Sequence, residues 1–159
     1  MPLIIDGNNL LQSIKKSGED FESLTASRLC RIISTYLRLT GEKGEIVFDG
    51  TGPPDKSEFD NISHLEVFFA GVAADADTVI EGQIRINTAP KRLTVVSSDR
   101  RLRSAARARR ATAVKADVFW NDVQRQLSRK KTPKEPAEKR LGLTAGETQK
   151  WLEFFGLER

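Results

Sequence analysis

Leu3-Ile4-Ile5-Asp6-Gly7-Asn8-Asn9-Leu10-Leu11 runs three apolar residues into a carboxylate, a glycine and two amides before the apolar character resumes. A short, continuous apolar run that ends in turn chemistry reads as a buried strand of a parallel sheet. Such a strand delivers Asp6 to its carboxyl end. Gly7 is read as the residue that permits a tight turn there, and Asn8 adds polarity without further charge. The segment from Asn8 to about residue 22 is expected to be a loop or a short helical turn.

Working outward, β-branched and aromatic runs recur at Glu45–Phe48, Leu65–Phe69, Leu93–Val96 and Thr112–Val114. Segments of helical period separate them, predicting an α/β domain with a mainly parallel, Rossmann-like sheet of about five strands flanked by helices. A stripe of Leu24, Leu29, Ile32, Ile33, Tyr36 and Leu37 predicts a helix over about 22–39, stopped by Gly41. Further helices are expected from Asp77 to about Ile86, from Asp99 to about Arg110, and from a cap at Asp117 to Leu127. The polar stretch from Asp55 to Ser63 is expected to form an exposed, mobile loop that faces substrate.

The 159 residues suit one domain with a real core. No apolar run approaches the roughly 18 residues that a membrane span needs, and Asp6 interrupts the pattern of a secretory signal. The single cysteine, Cys30, falls in an apolar stripe and reads as a small core residue. A reducing cytoplasm is the expected setting, with no membrane partner. Residues 1–128 are expected to form the domain and 129–140, with two prolines and many bases, a basic linker. Residues 141–159 are expected to form a C-terminal amphipathic helix, opened by a capping box at Thr144 and Glu147 and bearing Trp151, Leu152, Phe154 and Phe155.

Four aspartates occupy comparable places: Asp6 after the first strand, Asp49 after the second, Asp77 opening the helix after the third, and Asp99 after the fourth. The carboxyl ends of parallel strands share one edge, so residues far apart in the chain can meet there. Clustered carboxylates repel unless they are protonated, hydrogen-bonded or neutralised by a cation. Oxygen-only ligands favour Mg2+ or Mn2+, and no Cys/His set argues for zinc. The lone His64 lies in a polar loop. Asp77 and Glu81, four apart, share a helix face, whereas Asp75 is better placed as a cap. An aspartate two residues after the first, as a haloacid-dehalogenase-type phosphatase needs, is missing because Asn8 stands there. No G-x-G-x-x-G follows the first strand, which excludes a dinucleotide fingerprint.

Charge is unevenly divided. Residues 1–90 carry 8 basic against 14 acidic residues, and residues 91–159 carry 18 against 8. A basic half points to a polyanion. Arg100, Arg101, Arg103, Arg107, Arg109 and Arg110 crowd the helix that begins at Asp99, and arginine suits bidentate phosphate contact. A groove of this kind holds a nucleic acid backbone without reading its sequence.

Together LIIDGNNLL, VFDG (47–50), FFAG with ADTVIE (68–81) and VVSSDRRLRSAARARRA (95–111) resemble the YacP-like NYN branch of the PIN-like nucleases over about residues 2–128. The resemblance implies a PIN fold and a divalent-metal-dependent endoribonuclease acting on cellular RNAs, mRNA on ribosomes included. It implies catalytic roles for Asp6, Asn8, Asp77 and Asp99, with Mg2+ or Mn2+ held by Asp6, Asp77 and Asp99 and supported by Asp49. Arg100, Arg101, Arg103, Arg107 and Arg110 would hold the RNA. The stretch Gly71-Val72-Ala73-Ala74-Asp75 departs from the polar approach expected before the third helix. Two rivals share parts of this pattern: a PIN-like module that has lost chemistry and binds RNA or a ribonucleoprotein, and a DNA-directed flap nuclease.

Overall fold

Leu3–Asp6 form β1, buried along its whole length. A strand is buried on both faces only at the centre of a sheet, and β1 occupies that position. In the computed structural model, which describes residues 2–17 and 24–131, β1 is followed by α1 (Gly7–Ser17), α2 (Ala26–Thr40), β2 (Gly44–Phe48) and β3 (Leu65–Phe69). Then come α3 (Ala76–Ile86), β4 (Thr94–Val96), α4 (Arg100–Ala108), β5 (Thr112–Val114) and α5 (Ala116–Lys131). All four strand pairings are parallel, in the order β3-β2-β1-β4-β5.

Side chains alternate across the sheet, and the two faces therefore build two cores. Leu3, Ile5, Ile46, Phe48 and Val96 pack against Leu10 and Ile14 of α1, the apolar stripe of α2, and Phe119, Trp120, Val123 and Leu127 of α5. Ile4, Val47 and Val95 point the other way, onto Ile80 and Ile84 of α3 and Leu102 and Ala106 of α4. The result is a three-layer α/β/α arrangement, as the alternation of runs predicts.

The five strands lie within a residue or so of their expected places. Differences concentrate at helix starts. The expected loop after Asn8 is the eleven-residue helix α1, because Leu10 and Ile14 are four apart and both reach the core fully buried. Its stripe is too short to stand out beside the lysines that follow. Gly7 is helical rather than part of a tight turn. What requires glycine is space, since a Cβ there would sit 2.5 Å from the Phe48 ring. Thr25 caps α2 and Gly41, in the left-handed conformation at φ 73°, ends it as expected. Asp117 does not cap α5 but lies in its first turn.

The β2–β3 crossover holds only a 3-10 turn at Ser57–Phe59. It is mostly exposed, yet Phe59 and Ile62 pack on the core, Phe59 meets the Phe69 ring edge-on, and the Ser34 hydroxyl donates to Ser63 O at 2.6 Å. Cys30 is fully buried, and burial pushes its thiol up to about 12. No helix among the described residues is long and apolar enough to cross a membrane. α5 continues to Lys131 and takes in the first residues of the expected linker. The remaining linker and the expected terminal helix lie outside the described residues.

Candidate active site

The strand order reverses between β1 and β4, so the connections leaving these two neighbours diverge to opposite faces and open a crevice at their carboxyl ends. Asp6 ends β1 at that point, 5% exposed. Its Oδ1 accepts the Asn9 N–H at 3.4 Å and its Oδ2 accepts the Ser97 hydroxyl at 3.1 Å. Burial dominates these bonds and raises the carboxyl to about 6, with smaller additions from the charges of Asp77 and Asp49.

Asp99 caps α4, its Oδ1 accepting the Arg101 N–H at 2.8 Å. The Asp99 N–H in turn donates to Ser97 Oγ at 3.0 Å. One fully buried hydroxyl therefore joins Asp6 to the loop that carries Asp99. On the other side of β1, Asp49 follows β2 and accepts the Ala76 N–H at 2.7 Å. This bond draws the start of α3 to the sheet edge. Asp75 caps α3 through the Thr78 N–H at 2.8 Å, as its spacing from Asp77 suggests. Asp77 lies in the first turn, and its carboxyl is raised first by burial and then by the charges of Asp99, Asp75 and Asp49, with Arg101 opposing.

The two amides of the opening motif act as braces. Asn8 Oδ1 accepts the Asp49 N–H at 2.6 Å, and Asn9 Oδ1 accepts the Ser98 N–H at 2.8 Å. Ser98 Oγ then accepts the Ala116 N–H that opens α5, at 3.1 Å. Asn8 thus holds a backbone amide, where the sequence suggested a carboxylate or phosphate. Asn9, Ser97 and Ser98 were not singled out from the sequence. Their signal was present as polar residues directly after β1 and β4, but a hydroxyl at a strand end is usual turn chemistry.

The aspartates thus lie within one another's electrostatic field. Among the described residues, however, no three carboxylate, histidine or cysteine side chains converge tightly enough to hold a metal ion as they stand. The donor set nevertheless suits a hard cation. It is all oxygen, among the described residues Arg101 alone opposes the mutual repulsion at Asp77, and burial raises the carboxyl of Asp6.

Of the arginines expected to meet RNA, Arg100, Arg107 and Arg110 are exposed. Arg103 is half-buried and its Nε has no hydrogen-bond partner. Arg101 is held by Glu81, its Nε and Nη2 donating to Oε2 and Oε1 at 2.8 and 2.6 Å. Arg109 donates to the carbonyls of Arg85 and Asn87 and so caps the end of α3.

A 3-2-1-4-5 parallel sheet with acidic residues along its carboxyl edge is a Rossmann-like α/β layout. The model of the YacP-like NYN domain matches residues 3–152, past the point where the quoted motifs end, and the chain belongs to that family, a branch of the PIN-like nucleases. Two crystal structures of Rae1 (YacP) from Bacillus subtilis share the fold. One has 21% identity and a TM-score of 0.64, covering 98% of this chain and 92% of that one. A single-substitution variant has 20% identity and a TM-score of 0.62, with coverage of 93% and 89%. No curated protein matches the chain at a significant level. PIN-like nuclease domains in general use divalent metals.

Proposed function

We propose that the protein is a divalent-metal-dependent endoribonuclease that hydrolyses RNA phosphodiester bonds. The observation that supports this reading is the row of four aspartates along one sheet edge, at strand ends and helix starts, two of them with raised carboxyls. A pure binder of RNA gains nothing from acids that face phosphate.

Asp6, Asp77 and Asp99 would hold Mg2+ or Mn2+, with Asp49 in support. When bound, such a cation activates water and neutralises charge developing on the phosphate. The chain's own part is placement. Ser97 fixes Asp6 against the Asp99 loop, Asn8 and Asp49 pull α3 into position, and Asn9 ties α1 to the β4–α4 connection. Arg100, Arg107 and Arg110 offer exposed cations along α4 and just past its end, suited to an RNA backbone leading to the acidic edge. RNA on ribosomes belongs to this reading as a substrate, and a cytoplasmic setting goes with it.

The rival, a module that binds RNA without cutting it, draws on the lack of three converging ligands among the described residues. Incubating the purified protein with Mn2+ and single-stranded RNA, structured RNA or DNA separates these readings. Internal cleavage of RNA, lost in Asp6→Asn and Asp99→Asn while RNA still binds, is the expected result. Wild-type levels of Mn2+-dependent cleavage in both variants would sink the proposal, and preference for DNA flaps would redirect it.

A further inference from the structure

Arg101 bridges the starts of the two helices that carry Asp77 and Asp99. Its backbone N–H donates to Asp99 Oδ1. Its guanidinium forks onto Glu81, one turn beyond Asp77 on α3, and Nη2 also reaches Thr78 Oγ1 at 3.4 Å. We propose that Arg101 is a positioning residue for the metal-binding aspartates rather than an RNA contact. This inference rests on the nuclease reading above.

Three observations support it. The fork is already occupied, so reaching a phosphate would break two charge-assisted bonds, whereas Arg100 and Arg107 have no such partner among the described residues. Glu81 is a further carboxylate one turn from Asp77, and the fork commits both of its oxygens to Arg101. Released, it would compete for the cation and add repulsion. Finally, the pair is half-exposed, with 47% and 29% of the two side chains open to water. Exposed pairs of this kind contribute little to global stability, so its consequence lies in where it holds α3 against α4. A lysine could keep the charge but could not reproduce the planar fork.

The test measures Mn2+ binding to the full chain without RNA, by electron paramagnetic resonance of the free ion. RNA binding is measured separately, in EDTA with a single-stranded oligonucleotide. Arg101→Ala should weaken Mn2+ binding by about tenfold, in line with other residues that orient ligands. Its RNA affinity should stay close to wild type, whereas Arg107→Ala should lose RNA affinity and keep Mn2+. Arg101→Lys, which retains the charge, should still show the Mn2+ defect.

Wild-type Mn2+ affinity in Arg101→Lys, or loss of RNA binding with unchanged Mn2+ in Arg101→Ala, would overturn the positioning role while leaving the nuclease reading intact. If the wild type itself neither binds Mn2+ nor cleaves RNA, the nuclease reading fails and the role of Arg101 falls with it.

Discussion

The two ends of the sheet each bring carboxylates together, and only one of them organises its charges. At the amino end, Glu45 and Glu66 are paired in register across β2 and β3, beside a cleft of about 480 Å3 that Lys43, Gln83 and Asn87 also line. Burial, and then Glu66, raises the Glu45 carboxyl. At the carboxyl end the same two causes raise Asp77. The difference lies in the donors. Among the described residues no hydrogen bond reaches the side chain of Glu45 or Glu66, and none reaches that of Asp77, but its neighbours Asp6, Asp49, Asp75 and Asp99 each accept an N–H or O–H from a following turn or another element. Crowding alone makes a strained surface. Fixed donors, aimed by helix starts at a strand edge, make charges that stay where a cation can use them.

The largest effect should come from removing charge at each end in turn. Asp77→Asn should lower cleavage of RNA by more than about a hundredfold, while the double variant Glu45→Gln/Glu66→Gln should cleave within about twofold of wild type. Comparable losses at both ends, measured under single-turnover conditions, would erase the distinction.

The next contrast is in stability. The folded-state carboxyl of Asp6 lies at about 6, above its ordinary 3.8, so the folded chain binds the proton more tightly than the unfolded one. Stability then falls as pH rises from about 4 through 6, and the penalty stays in full at pH 8. Without metal, Asp6→Asn should therefore stabilise the protein at pH 8 by on the order of 1–3 kcal/mol, an advantage that fades near pH 4. Thermal unfolding across that range checks it. Added Mn2+ should raise the wild-type midpoint and leave that of Asp6→Asn nearly unchanged.

Gly7→Ala tests how closely the carboxyl end is built. The new Cβ would press on the Phe48 ring and should cost about 1–3 kcal/mol in denaturant unfolding. Gly82→Ala, mid-helix in α3 with an arginine side chain no nearer than 3.9 Å, should be neutral or slightly stabilising. The smallest effect is expected on the exposed face of α4. Arg107→Ala should reduce the slope of log affinity for RNA against log salt by about one, as for one lost phosphate contact.

Much of this molecule is legible in its residues. The strands at 3–6, 44–48, 65–69, 94–96 and 112–114 follow from apolar runs bounded by turn residues, and Gly41 ends α2 where its composition says it should. The helix α1 was harder, because its core stripe amounts to Leu10, Leu11 and Ile14 before two lysines. The constraint on Gly7 is invisible in the sequence for a different reason. It comes from an aromatic ring on another strand, and nothing next to Gly7 in the chain announces that. The same holds for Asn8, whose partner is an amide 41 residues away, and for Ser97, which reaches back 91 residues to Asp6.

By itself the sequence determined that strands alternate with helices and that aspartates follow the ends of the strands. Both are local properties, set by side-chain periodicity and by the backbone preferences of turn residues. Only the tertiary structure decided that β1 lies between β2 and β4, which turns a list of aspartates into one edge. It also decided that Glu81 belongs to Arg101 and that Asn8 braces Asp49. Those pairings depend on how distant elements pack against each other, and a hydrogen bond forms only where packing brings donor and acceptor within about 3 Å.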